Sequence, residues 1–354
     1  MSGSHVPEQL QRSIAQALDQ PGAAIRIEER RPLTHQSNRL YDAWAGDRQL
    51  IVKEFLKPDE LHDAPLREAR ALELVVPLDI APRLVLLQPS ATPALGPVVV
   101  YEWMAGEMWE RRRPSSQQLV QLADTWLALH ALPTEGLWMS RGYERSLREH
   151  EARLRAQFLS YAGWVSEEFP AGTQAVDLVL DLMERRREVV AELECSTPVL
   201  RFCRGDARFA NVIQRPDGRL GLVDWEDSGL RDPARDVADL LTAADQEDVL
   251  DWGDWQAFLH PYLQGRYAVD PTLARRVELY LAMFPILWLV VLASHGLQRA
   301  RRGELAGWTT NTMAPNQRLR RYLARALAWP EMELADQLAE LAEVTFFPDT
   351  EDPG

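Results

Sequence analysis

The sequence predicts an α+β protein in two lobes. A β-rich N-terminal lobe with one main helix spans residues 1–103, a larger and mostly helical C-terminal lobe spans residues 104–354, and a hinge at about 101–106 joins them. Three observations carry this. Short runs rich in β-branched, aromatic or alternating residues crowd the first 103 positions. Beyond Met104-Ala105-Gly106 nearly every periodic segment has helical spacing. One strand island, around 211–224, interrupts those helices.

The elements follow in order. Leu10, Ile14 and Leu18 share one helical face, so residues 8–19 form a short amphipathic helix. AAIRIEE, NRLYDAW and RQLIVKEF are strands, the last two joined by Ala45-Gly46-Asp47 as a hairpin-like loop. APLREARALELV is the helix of this lobe, with Asp63 placed to cap it and Pro65 in its first turn. RLVLL and PVVVYEW are further strands around the Pro-rich QPSATPALGP. Helices are then expected over 115–131, 144–158, 174–194 and 232–243, with more to about residue 343. The most apolar run, Leu279 to Ser294, is near the lower length limit for a membrane span and carries Pro285; it reads as a buried core helix.

Composition narrows the function. The chain has 354 residues, 46% hydrophobic and 26% charged, which suits a soluble globular protein. A net charge of −14 lacks the basic footprint of a nucleic-acid binder and is compatible with a cationic small molecule. Two cysteines, Cys195 and Cys203, make neither a disulfide framework nor a metal-ligand spacing. With a polar start and no apolar leader, the expectation is a reduced, cytoplasmic protein with no membrane partner.

The strand island carries the chemistry. NVIQ-RPDGR-LGLVDWED reads as a hairpin, since proline presets φ and glycine takes the positive-φ position. With Asp217 and Gly218 as the two loop residues, Asn211 lies opposite Asp224; a bulged turn shifts that register by one. An amide oxygen and a carboxylate gathered this way suit a hard cation such as Mg²⁺. Asp206 lies just upstream, and Glu226, two residues beyond Asp224, points the same way in an extended chain. The letters Arg204-Gly205-Asp206 match an adhesion tripeptide, which in a chain without an export signal is coincidence.

CRGDARFANVIQRPDGRLGLVDWEDSGLRDPARDVADLL resembles the catalytic core of the aminoglycoside phosphotransferase/choline kinase-like family, which has the protein kinase-like fold. The matching positions are Asp206, Asn211, Asp224, Glu226, Asp232, Pro233 and Asp236, and the departure is Arg204, where the family has histidine. The resemblance implies that Asp206 is the catalytic base for an acceptor hydroxyl. It implies Asn211 and Asp224 as magnesium ligands, Glu226 as a further ligand and Asp236 as a structural brace. Arg204 would either be tied down by a carboxylate or lower the pKa of Asp206.

The same resemblance sets requirements upstream. Lys53, one of only two lysines, sits on the third strand and would contact the α/β-phosphates of ATP, as a compact charge can. Glu68 would pair with it, with Glu73 the alternative. Ser37 and Asn38, in a loop without glycine, would cover the phosphates or serve as turn residues. Backbone groups from Glu102 to Met104 would hold adenine, and His130 would be a packed helix residue. ADQEDVLDWGDW, with Asp245, Glu247, Asp248, Asp251 and Asp254, either holds a polyamine or aminoglycoside or is a solvated acidic loop. The expected activity is phosphoryl transfer from Mg-ATP to a small-molecule hydroxyl. Arg204 and the glycine-free loop motivate the alternative, a pseudokinase-like protein that binds nucleotide without turnover.

Overall fold

The computed structural model describes residues 8–30, 38–56, 63–91, 95–110, 112–140, 146–243, 246, 249–310, 313–329 and 335–348. By compactness the chain forms two units. The first comprises Met1–Arg141, Leu200–Arg231 and Ala257–Tyr262; the second comprises Gly142–Val199, Asp232–Gln256 and Leu263–Gly354.

The first unit is built on an antiparallel five-stranded sheet of β1 (Ile25–Glu29), β2 (Asn38–Ala45), β3 (Arg48–Phe55), β4 (Leu84–Gln88) and β5 (Val98–Glu102), in spatial order β1-β2-β3-β5-β4. The β2–β3 turn is two residues long, Ala45 facing Arg48, and Gly46 takes the positive φ of 59° that such a turn demands. Helix α1 (Glu8–Ala17) lays Leu10 and Ile14 on one face of the sheet, against Tyr41, Leu50, Val52 and Val100. Helix α2 (Ala64–Leu74) packs on β4 and β5. Asp63 occupies its N-cap position, yet its carboxylate makes no cap bond and instead accepts from Arg67 one turn on. Arg67 competes successfully because its guanidinium carries charge, whereas the helix N–H groups do not.

The rest of this unit carries the short strands. Strands β6 (Glu107–Met108), β8 (Val212–Gln214) and β9 (Leu220–Leu222) form one sheet, while β7 (Arg201–Cys203) pairs with β10 (Gly229–Arg231). Helix α3 (Ser116–His130) starts in a capping box between Ser115 and Gln118 and packs on β7 and β9. His130 at its end is fully buried and meets the Tyr262 hydroxyl at 2.7 Å.

The β8–β9 hairpin corrects the expected register. Val212 faces Leu222, Ile213 faces Gly221, and the Asn211 carbonyl accepts from the N–H of Val223 rather than pairing with Asp224. The loop has three residues, not two. The Gly218 N–H bonds to the Arg215 carbonyl, Gly218 sits at φ 81°, and the Arg215 N–H returns to the Arg219 carbonyl. This is a type I turn closed by a left-handed glycine, the bulged alternative to a primed turn.

The second unit is helical: α4 (Leu147–Glu168), α5 (Thr173–Arg185), α6 (Arg187–Cys195), α7 (Pro233–Thr242), α9 (Leu273–Ala300), α10 (Pro315–Ala328) and α11 (Ala335–Glu340). Helix α8 (Trp252–Arg266) begins in this unit, and its residues 257–262 belong to the first. The single helix expected over 174–194 is broken at Arg186, whose guanidinium donates to the carbonyls of Ala282 and Ala326 and lies 4.8 Å over Trp329. By length and composition α9 could cross a membrane, but Leu279, Leu281, Ile286, Leu289 and Val290 are buried in the unit's core. Asp232 caps α7 by accepting from the Ala234 N–H, and Arg276 of α9 joins Asp232 to Asp270 in a buried ion cluster. Of the acidic run near residue 250, Asp251 and Asp254 form the capping box of α8, while Asp245, Glu247 and Asp248 lie outside the described residues.

Two glycines should respond unequally to alanine. At Gly106, with φ 147°, an added Cβ would stand 2.4 Å from the Gln214 carbonyl and 2.5 Å from Ile213 Cγ2. Gly218 has open space around it. Gly106→Ala is expected to cost about 3 kcal/mol or more in denaturant unfolding. Gly218→Ala should cost about 1 kcal/mol, the backbone term alone.

Candidate active site

Lys53 organises the site. It lies on β3 with its side chain 4% exposed, and its ammonium touches three carboxylates. Glu68 Oε2 of α2 is at 2.6 Å, Asp224 Oδ1 at 2.5 Å and Glu226 Oε2 at 2.9 Å. Glu73 takes no part in this cluster. The ligand atoms of Glu68, Asp224 and Glu226 all lie within 4.8 Å of one another. One positive charge faces three negative ones, a formal sum of −2 that a divalent cation would cancel. Hard oxygen donors with excess negative charge fit Mg²⁺.

The shared cation sets the proton affinities. Burial alone would lower the Lys53 pKa, but Asp224, Glu68 and Glu226 hold it well above its ordinary value. Burial would raise Asp224, but the charge and hydrogen bond of Lys53 hold it below the usual carboxylate range. Glu68 is fully buried and is pushed up to about 7, burial outweighing the pull of Lys53.

Asp206 lies in the turn between β7 and β8. Its Oδ2 accepts from Asn211 Nδ2 at 3.1 Å and from Arg208 Nε and Nη2 at 2.9 and 2.8 Å. Burial raises its pKa, while Arg208 pulls the other way. Sequence reasoning missed Arg208. The signal was its spacing of two from Asp206, which in non-helical backbone puts both side chains on one side. Gly205, at φ 86°, lets the turn pass so close to Asp227 that a Cβ would stand 2.2 Å from its carbonyl.

Arg204 is 1% exposed and takes a course that the sequence did not suggest. Its Nη2 donates to the carbonyls of Val223 at 2.6 Å and Asp224 at 2.9 Å, and its guanidinium lies 4.7 Å over the Trp225 ring. Backbone carbonyls, then, hold this arginine at the turn. Its charge does lower the Asp206 pKa, but less than burial raises it. Asp224 itself sits at φ 67°, a left-handed conformation that costs a non-glycine residue about 1–2 kcal/mol.

The remaining predicted residues divide. Asn38 begins β2 and donates to Glu226 Oε2 at 2.7 Å. Ser37 lies outside the described residues. The Glu102 N–H bonds to the Arg83 carbonyl and its carboxylate to Arg48. The Met104 side chain occupies the space over Gly221, where any Cβ would meet its sulfur at 2.0 Å. A groove of about 320 Å³ borders Glu102–Ala105, lined also by Asp79, Arg83, Arg215 and Asp217; the carboxylates around Lys53 do not line it.

A model described as the phosphotransferase enzyme family matches residues 29–280. Among solved structures the chain is similar to a choline/ethanolamine kinase family protein from Mesorhizobium loti, at 21% identity and TM-score 0.55 over 95% of this chain and 98% of that one. It is similar to a choline kinase from Streptococcus pneumoniae at 19% identity and TM-score 0.55, covering 91% and 100%. A spectinomycin phosphotransferase solved with ADP and spectinomycin aligns at 12% identity and TM-score 0.57, covering 96% and 99%. These likenesses show the protein kinase-like fold. No curated protein matches the chain.

The raised pKa of Glu68 has a measurable sign. Its folded value of about 7 lies above the unfolded value of about 4.3, so the stability tied to this group is complete below pH 4.3 and is lost as pH rises through 7. Glu68→Gln should flatten the stability curve between those limits in urea melts. A slope unchanged from wild type would show that Glu68 is ionised throughout.

Proposed function

The chain belongs to the phosphotransferase enzyme family, and from that premise we propose that it moves the γ-phosphoryl group of Mg-ATP to a hydroxyl of a small molecule. The observation that carries the reading is the gathering of Asp206, Asn211, Asp224 and Lys53 at one end of the β8–β9 hairpin. Phosphoryl transfer asks little covalent chemistry of a protein; positioning and charge neutralisation supply most of the catalysis.

Asp206 orients the acceptor. Both of its described partners hold Oδ2, which leaves Oδ1 to accept the hydroxyl proton. Asn211 gives its amide hydrogens to Asp206 and keeps Oδ1 for a cation; Asp224 and Glu226 add carboxylate oxygens. Held there, magnesium would supply neutralisation of the phosphate charge. Lys53 exchanges its carboxylates for the α/β-phosphates, and Glu68 keeps it aimed. Ser37 and Asn38 cover the phosphates, and backbone groups from Glu102 to Met104 hold adenine, with the nucleotide lobe ending near residue 103. The acceptor class is a cationic or polyol hydroxyl compound: the net charge of −14 favours cations, and the aligned structures are named for choline and spectinomycin. A cytoplasmic location fits a consumer of ATP.

Asp206→Ala should lower kcat about 10²–10⁴-fold, the usual contribution of a positioned base. Asp224→Ala should remove the dependence of nucleotide binding on magnesium. Both are read with γ-labelled ATP against a panel of hydroxyl compounds that includes choline and aminoglycosides. Tight Mg-ATP binding with no labelled product from the whole panel would favour the pseudokinase-like reading. Wild-type turnover in Asp206→Ala would rule out the assigned base.

A further inference from the structure

The turn that carries Asp224 is held through its carbonyls. The Leu222 carbonyl accepts from the Trp225 indole N–H at 3.0 Å, and the Trp225 carbonyl accepts from the Ser228 hydroxyl at 2.7 Å. Between them, Val223 and Asp224 both give their carbonyls to Arg204. Four successive carbonyls are therefore bound, and one buried side chain binds the middle two.

In an extended strand successive carbonyls point to opposite sides, so one nitrogen cannot reach both. Arg204 Nη2 reaches both because the chain leaves the extended conformation at Asp224, at φ 67°. The arginine thus fits the kinked backbone and not the straight one. Trp225, itself fully buried, lies under the guanidinium and fixes where that nitrogen stands. A residue with a Cβ disfavours this conformation, yet glycine would relieve it only by giving up the carboxylate.

We propose that Arg204 is a positioning residue that holds Asp224 in its metal-binding conformation. An imidazole, which the related pattern has here, offers fewer N–H groups and can lose its charge; a guanidinium keeps both donors and charge at every working pH. The kink is then permanent, and the carboxylate is aimed before any ligand arrives. This role rests on the proposed function, because it assigns Asp224 to the cation.

The test is a thermal-shift titration of Mn²⁺ in the presence of ATP, on wild type, Arg204→Met and Arg204→Lys, with the unliganded melt of each as reference. The Mn²⁺ concentration giving half of the nucleotide-dependent shift should rise at least tenfold in Arg204→Met. Arg204→Lys, with its shorter reach, should recover part of that loss. The KM for Mg²⁺ in turnover should rise more than kcat falls. If Arg204→Met does not fold, Arg204→Lys alone should still show a rise of several fold. A lower unliganded melt with an unchanged Mn²⁺ requirement would reduce Arg204 to core packing and overturn the role. Wild-type protein with no metal-dependent shift would overturn the proposed function, and this role with it.

Discussion

The ammonium of Lys53 is the contact on which the site depends. It joins a β-strand, a helix and the turn after a hairpin, through Glu68, Asp224 and Glu226. Each partner is anchored separately: Glu68 by burial of α2, Asp224 by its clamped backbone, and Glu226 by Asn38. Buried charges are costly unless paired, and removing one partner of such a cluster commonly costs about 3–5 kcal/mol. Three carboxylates around one cation are underpaired by design of the fold. Burial first, and then the neighbouring charges of Asp224 and Glu226, raise the Glu68 pKa, and the excess of negative charge is the condition a divalent cation would satisfy.

Much of this was legible in the sequence because it rests on spacing. Strands up to residue 102, the helix over 64–74, and the Asp206–Asn211–Asp224 series follow from period, turn residues and motif order. Lys53 and Glu68 were legible because the resemblance asks for a lysine on the third strand and a glutamate on the next helix, and Glu68 stands there fifteen residues after one of only two lysines. What the sequence could not show depends on backbone geometry that residue identity does not encode. A left-handed aspartate at 224 is one such feature, and the destination of Arg204 follows from it. The hairpin register is another: Pro-Asp-Gly permits a two-residue or a bulged loop, and only the bond from Gly218 to Arg215 chooses. Long-range side-chain partners, such as Asn38 with Glu226, 188 residues apart, leave no local trace.

The division of labour between the two kinds of cation gives the site its logic. Of 39 basic residues, 37 are arginine. Buried Arg204 and Arg276 and half-buried Arg186 lock backbone or paired acids: Arg204 holds two carbonyls through one nitrogen, Arg186 two others, and Arg276 Asp232 and Asp270. A guanidinium suits this because its planar donors match fixed acceptors and its charge does not titrate away. Lys53 does something a fork does poorly. Its ammonium is a single point with three rotatable donors, and it makes its three contacts without a preferred plane. Such a group can pass from carboxylates to phosphate oxygens by a small motion of a flexible stem. The rigid arginines define where Asp206 and Asp224 stand, and the lysine is the part free to change partners.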